Sequence, residues 1–327
     1  MTVLQLVRQL DKEVAVLRSQ TLATSTANTY ASQLRQYFKF CEQTQTEPVP
    51  ASRLHVARYI AFLARRLRYS SIIQYLNVIR ILHLEAGCAN PLQNDYFLKT
   101  VLKGARRQLG DNVSRKLPMS PQLLLRLRKI LDVTKGEDKV FWAVCCIGLF
   151  SLLRMANLLP ESGASFDPVK QLCRSDCVII QGSVVLVVRH TKTIQCGERH
   201  LLIPLPVLHP SPLCPVRALI DCLACFPCSA NVSSPFLLHG KTGLVPMTKR
   251  RFTDRLNALV RTLGVSAGLY SGHSFRRGGA TWALQCGVAP EVVRLLGDWR
   301  SDCYKDYISA NLTLRTEAAQ KMGAPLR

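Results

Sequence analysis

Acidic side chains are scarce in this sequence: 21 Asp and Glu stand against 43 Lys and Arg in 327 residues, a formal net charge of +22. That deficit makes a basic partner unfavourable and favours one carrying many phosphates, nucleic acid first and an anionic membrane surface second. A run of about 18 consecutive apolar residues is also missing, which excludes an ordinary membrane-spanning helix. The N-terminal MTVLQLVRQLDKEVAVLRSQ mixes charges throughout and lacks the apolar middle of a secretory leader, so the protein is expected on the reducing side of membranes. No internal repeat and no low-complexity tract appears. The 13 cysteines are an odd number, scattered from Cys41 to Cys303 without framework spacing, and read as reduced, buried thiols. Only CLACFPC, with Cys222, Cys225 and Cys228, could begin a zinc site. Pro227 interrupts it and no His or Cys pair follows closely, so a helix end carrying buried thiols, with no metal and no cofactor, is expected.

What is present is enough for two cores, with 48% hydrophobic residues. In TLATSTANTYASQLRQYFKFCEQ an apolar stripe runs through Tyr30, Leu34, Tyr37, Phe38 and Cys41, and three further helical runs follow, in ASRLHVARYIAFLARRLRYS and in two segments that end near Gly87 and Gly110. These four helices make a compact helical module. DNVSRKLPMSP then reads as a linker. The boundaries expected are an N-terminal extension over 1–20, a helical module over 21–114 and a second module over 115–327. In the second, DKVFWAVCCIGLFSLLRMANLLP is one helix stopped by Pro160. CVIIQGSVVLVVRHTKTIQCGERHLLIPLP supplies three runs for a three-stranded antiparallel sheet, and the remainder is helical. The fold class expected is mainly α with a small antiparallel β-sheet.

Basic residues cluster on the helices. Arg65, Arg66 and Arg68 lie together, and Lys99, Lys103, Arg106 and Arg107 fall within i+3 or i+4 reach as one ridge suited to a phosphate backbone. Arg126, Arg128 and Lys129 begin the second module similarly, and TKRRFTDR offers another face. In SGHSFRRGGATWALQCG, a helix capped by Ser271 puts Phe275, Gly279, Trp282 and Cys286 on a docking side and His273, Arg276, Arg277 and Ala280 on a presented side. Gly278 and Gly279 are costly in a helix and point to a backbone packed closely against them. A His and an Arg one turn apart suit phosphoryl transfer, since Arg holds nonbridging oxygens while His moves a proton. Downstream, LLGDWRSDCYKDYI adds the indole of Trp299 and the phenols of Tyr304 and Tyr307, either of which could attack a phosphodiester. Upstream, Arg154 sits among apolar residues and needs an anionic partner or a cleft. Lys192 stands where a hairpin would lift it out of the sheet.

The order Arg154, Lys192, His273, Arg276, Trp299, Tyr307 resembles the tyrosine recombinase (phage integrase) family over about residues 20 to 315. CPVRAL, HSFRRGGATWA and GDWRSDCYKDYI look most like the eukaryotic DIRS-like and Crypton mobile-element recombinases. The resemblance implies a helical, SAM-like core-binding domain followed by a mixed catalytic domain. It implies double-stranded DNA as partner, a homo-oligomer (a tetramer on paired sites), no membrane association and, for a eukaryotic element, a nuclear location (otherwise cytoplasm or nucleoid). By the same resemblance Arg154 and Arg276 hold the scissile phosphate, Lys192 protonates the leaving 5'-oxygen, His273 assists proton transfer and Trp299 donates to a nonbridging oxygen. Tyr307 is the nucleophile, in preference to Tyr304. Arg277 matches no catalytic role and is expected on the flanking DNA backbone. Asn157 stands where many relatives have an acid, and Trp299 is one residue closer to Tyr307 than in many bacterial members. The alternative from another class is a non-catalytic DNA-binding protein that keeps the fold. A third reading is a monomeric type IB topoisomerase.

Overall fold

A computed structural model describes residues 2–111 and 115–300. The chain divides into two compact units, Met1–Ser114 and Arg115–Arg327.

The first unit holds α1 (Val3–Ser19), α2 (Thr24–Thr44), α3 (Arg53–Ala64), α4 (Tyr69–Glu85) and α5 (Tyr96–Leu109). Side-chain caps set three of the starts, that of α1 at Thr2 among them. The Ser52 hydroxyl accepts from the His55 N–H and the Asp95 carboxylate from the Leu98 N–H, each satisfying a first-turn donor that the helix leaves unpaired. Tyr37 and Phe40 of α2 meet Tyr59, Ile60 and Leu63 of α3, Ile72, Leu76 and Ile79 of α4 and Leu98 of α5 in one core. The buried stripe of α2 runs through Gln33, Tyr37, Phe40 and Cys41, so Phe40, 4% exposed, takes the place expected for Phe38, which is 38% exposed. The segment read as a mixed N-terminal extension is a helix, α1, with no buried residue.

The second unit begins with α6 (Pro121–Ile130), capped by Ser120 with Pro121 at its first position, followed by α7 (Gly136–Phe150) and α8 (Met155–Leu158). Nearly every residue of α7 from Val140 to Leu149 is buried, as befits a helix that is apolar all round. Sequence reading ran α7 on to Pro160. Instead the chain leaves the helix at Ser151, with Leu152 in the left-handed region (φ 53°), and restarts with Arg154 as the N-cap residue of α8. The break has a cause: it frees the Leu152 carbonyl to accept a hydrogen bond from the buried guanidinium of Arg276.

Strands β1 (Cys177–Ile180), β2 (Ser183–Val188) and β3 (Leu201–Leu205) form an antiparallel sheet in that order, with Leu186 opposite Cys177 and Ile203. α9 (Pro215–Cys225) follows and packs on α7. β4 (Leu237–Gly240) and β5 (Gly243–Pro246) then form a two-stranded hairpin where only helix was expected. Its signal is the glycine pair around Lys241 and Thr242, where Gly243 takes φ 138°. α10 (Lys249–Thr262), α11 (Gly272–Gln285) and α12 (Pro290–Leu296) complete the described residues. No helix among them is long and apolar enough to cross a membrane. At the end of α9, the buried Cys222 thiol donates to the Pro235 carbonyl, and no three His, Cys, Asp or Glu side chains gather as a metal site among the described residues.

Candidate active site

Helix α11 is wedged rather than laid on the surface. Ser274 to Ala280 are all buried, so the two-sided pattern expected for this helix, with Arg276 and Arg277 presented to solvent, does not hold. Its glycines explain how it fits. A Cβ at Gly278 would lie 1.9 Å from the Met119 carbonyl oxygen, and one at Gly279 would lie 2.0 Å from that of Leu149. Two stretches of backbone therefore pack where side chains would stand, as the glycine pair suggested.

Arg276, 2% exposed, is held from two directions. Its guanidinium donates to the Leu152 carbonyl at the break after α7 and, at 2.7 Å, to the Gly297 carbonyl at the end of α12. Its flat face lies 4.0 Å from the centroid of the Trp299 ring. Backbone acceptors and an aromatic face thus fix the plane of a buried cation. Trp299 itself is 7% exposed and packs with Leu152, Ala280, Leu284 and Val293, and its ring crosses Gly297 so closely that a Cβ there would collide. His273, one turn before Arg276, is only partly exposed to solvent. Desolvation, then the positive charges of Arg276, Arg277 and Arg154, hold its pKa below the ordinary value. The half-buried Arg154 therefore shares the field of His273 and Arg276, and the imidazole is neutral at neutral pH.

Lys192 is exposed on the loop between β2 and β3. Two side chains that sequence reading missed fix this loop. Asp298, 7% exposed and itself in the left-handed region, accepts from the hydroxyls of Thr191 (2.6 Å) and Thr193, the two neighbours of Lys192, and pairs with Arg199. Burial pushes the Asp298 carboxyl up, but the hydrogen bonds from Thr191, Thr193 and Arg199 outweigh it and leave its pKa below the usual value. Asn157 of α8 donates its side-chain amide to the His190 carbonyl at 2.8 Å. This side chain therefore ties the Arg154 helix to the Lys192 loop, through a bond that an ionised acid could not donate. Arg300 adds a bond to the Thr193 carbonyl and an ion pair with Glu198. Arg154, His273, Arg276, Trp299 and the loop of Lys192 are brought into one region. Tyr304 and Tyr307 lie outside the described residues.

Residues 10–86 match the phage integrase N-terminal SAM-like domain. An integrase/recombinase xerD homolog from Selenomonas ruminantium is 24% identical over 271 residues, which cover 80% of this chain and 74% of that protein. Among solved structures, the Tn1549 transposon integrase in complex with transposon right end DNA superposes with a TM-score of 0.61 at 14% identity, over 99% of this chain and all of that one. A λ integrase dimer bound to a core site (TM-score 0.59, 16% identity, 91% and 93% covered) and the XerH site-specific recombinase on its palindromic difH substrate (0.62, 15%, 89% and 78%) are similar. The chain has the fold of the tyrosine recombinases. On this recombinase fold, the SAM-like match begins at residue 10, inside α1, and ends at the close of α4.

Of the basic residues singled out in the sequence, Arg65, Arg66 and Arg68 are exposed around the turn from α3 to α4, and Lys99, Lys103, Arg106 and Arg107 are exposed along α5. Arg106 is already paired with Asp111 at 2.6 Å. Each cation of the TKRRFTDR face stands beside an acid. Lys249 pairs with Glu161, Arg250 with Asp254, Arg251 with Glu137 and Arg255 with Asp138. Arg277 also departs from its expected place on an exposed face. It is 9% exposed and donates to the Lys116 carbonyl, in the segment whose Met119 N–H donates to the Ser274 carbonyl at 2.8 Å, so it braces α11 against that segment.

Proposed function

We propose that the protein is a site-specific DNA recombinase that cleaves and rejoins DNA through a 3'-phosphotyrosyl link on Tyr307. The observation that carries this reading is the locked Arg276 guanidinium, with His273 and Arg154 beside it and the Lys192 loop anchored next to Trp299. In the first step the Tyr307 oxygen attacks the scissile phosphorus, a tyrosyl–phosphorus bond forms, and the bond to the 5'-oxygen breaks. Arg154 and Arg276 hold the nonbridging oxygens as charge builds on them. Neutral His273 takes up the phenol proton, Trp299 closes the phosphate pocket, and Lys192 gives a proton to the departing 5'-oxygen. Rejoining runs the same steps backwards with a new 5'-hydroxyl, so the energy of the broken bond is kept and no nucleotide is consumed.

The exposed cations of α3 to α5 give the first unit a face for the DNA backbone, and the second unit carries the chemistry. The CPVRAL, HSFRRGGATWA and GDWRSDCYKDYI motifs support a role in moving a DIRS-like or Crypton element, hence a nuclear site of action and a tetramer on paired sites. Incubation with two labelled copies of a cognate site tests the reading: reciprocal strand-exchange products are expected. A non-catalytic binder gives shifted but intact DNA, and a type IB topoisomerase relaxes supercoils without exchange. Either result contradicts the proposal.

A further inference from the structure

Helix α1 is hard to account for within a single chain. It is 17 residues long, closed at its start by a reciprocal cap in which the Thr2 N–H donates to the Gln5 side chain and the Gln5 N–H to the Thr2 hydroxyl, yet none of its residues is buried. A helix of this length is marginal in water without packing. Five of its apolar residues nevertheless follow a heptad pattern, while Leu4, Leu6 and Val16 lie outside it. Val3, Val7, Leu10, Val14 and Leu17 recur at alternating steps of four and three, and they are 81%, 47%, 48%, 54% and 67% exposed. That is the seam of a coiled coil, with Val7 and Val14 at the a positions and Val3, Leu10 and Leu17 at d. Branched residues at a with leucine at d favour two parallel strands.

We infer that α1 is a dimerisation element that pairs in parallel with α1 of a second copy of this chain. The flanking charges name that occupant. In a parallel pair the g residue of one heptad faces the e residue of the next on the other helix, which sets Glu13 against Arg18 of the second copy, twice by symmetry. Arg18 now pairs with Glu85 of its own chain, but both side chains are more than half exposed and such a surface pair is worth little, so Arg18 can change partner. The helix is not suited to DNA. Its Arg8, Lys12 and Arg18 are mostly offset by Asp11 and Glu13, unlike the cationic ridge of α5. This inference does not depend on the chemistry proposed for the second unit.

Sedimentation of the full chain without DNA, over a range of concentrations, tests the pairing. A monomer–dimer equilibrium is expected. Leu10→Lys should weaken it by about tenfold or more, because a charge must be buried in the seam. The melting temperature at low protein concentration should stay unchanged, because no residue of α1 is buried in the monomer. Glu13→Arg should also weaken the dimer, and Glu13→Arg with Arg18→Glu should restore it. A full chain that stays monomeric, a dimer indifferent to Leu10→Lys, or a charge swap that fails to restore pairing each overturns the inference. So does α1 binding to DNA or to anionic lipid vesicles in place of a second copy.

Discussion

Replacing Asp298 with Ala removes the anchor of the Lys192 loop. The carboxylate is 7% exposed and accepts from Thr191, which is 2% exposed, from Thr193 and from Arg199. Breaking a buried ion pair by deleting one partner costs about 3–5 kcal/mol. Here Arg199 is nearly half exposed and can be rehydrated, and the Thr191 hydroxyl can turn to Thr193, 2.9 Å away, so the effect sits at or just below the lower end of that range. A destabilisation of about 2–3 kcal/mol is expected, lowering the melting temperature by about 5–10 °C for a unit of this size. The sign with pH follows from a depressed carboxyl. The Asp298 contribution is present above the unfolded pKa, near 3.8, and disappears as pH falls through the lower folded value, so wild type and Asp298→Ala should converge in stability below about pH 3.8. Cleavage should fall as well, by about tenfold or more, because the proposed general acid Lys192 is no longer held in position. A substrate with sulfur in place of the bridging 5'-oxygen has a leaving group that needs no proton. On that substrate Lys192→Ala and Asp298→Ala should both recover. If Lys192→Ala does not recover, Lys192 is not the acid; if only Asp298→Ala fails to recover, Asp298 does not act through Lys192.

Four further outcomes follow from the geometry. Gly278→Ala, whose Cβ would meet the Met119 carbonyl oxygen at 1.9 Å, should cost about 3 kcal/mol in urea unfolding, whereas Gly104→Ala, with nothing within 4 Å, should be stabilising by about 0.5–1 kcal/mol. Asn157→Asp sets a carboxylate against the His190 carbonyl in place of the 2.8 Å bond and should cost about 1–3 kcal/mol while slowing cleavage; unchanged kinetics would mean the tie is dispensable. With the His273 pKa held below its ordinary 6.5, cleavage should stay level from neutral pH down past 6.5 and fall only below it, and a drop starting above 6.5 would speak against a neutral imidazole. Replacing Lys103 and Arg107 of α5 with Ala should flatten the salt dependence of DNA binding by about 0.9 in log–log slope for each phosphate that is no longer neutralised, and an unchanged slope would place the DNA elsewhere.

Local pattern made much of the fold legible. Four of the five helices of the first unit, the three-stranded sheet and the close approach at Gly278 and Gly279 follow from periodicity, turn residues and the cost of glycine in a helix. What could not be read depends on partners far along the chain. Ser151 to Arg154 is compatible with helix, and the break there answers to Arg276, 124 residues after Leu152. The TKRRFTDR cations look free in sequence because Glu137 and Asp138, which neutralise Arg251 and Arg255, lie 114 and 117 residues away. Arg277 looks like a DNA contact until the Lys116 carbonyl is seen beside it. Asp298 and Asn157 carry no motif of their own. The only hints were an acid beside Trp299 in a chain short of acids, and an amide where an acid is common.

The central claim is a covalent link between this protein and DNA at one tyrosine. Trapping the adduct on a nicked substrate, digesting it, and identifying the nucleotide-linked peptide by mass spectrometry tests it most directly. The account predicts a single 3'-phosphotyrosyl link at Tyr307, absent in Tyr307→Phe and reduced in Arg276→Ala. An adduct on Tyr304, or no adduct from a protein that still binds the site, would contradict it.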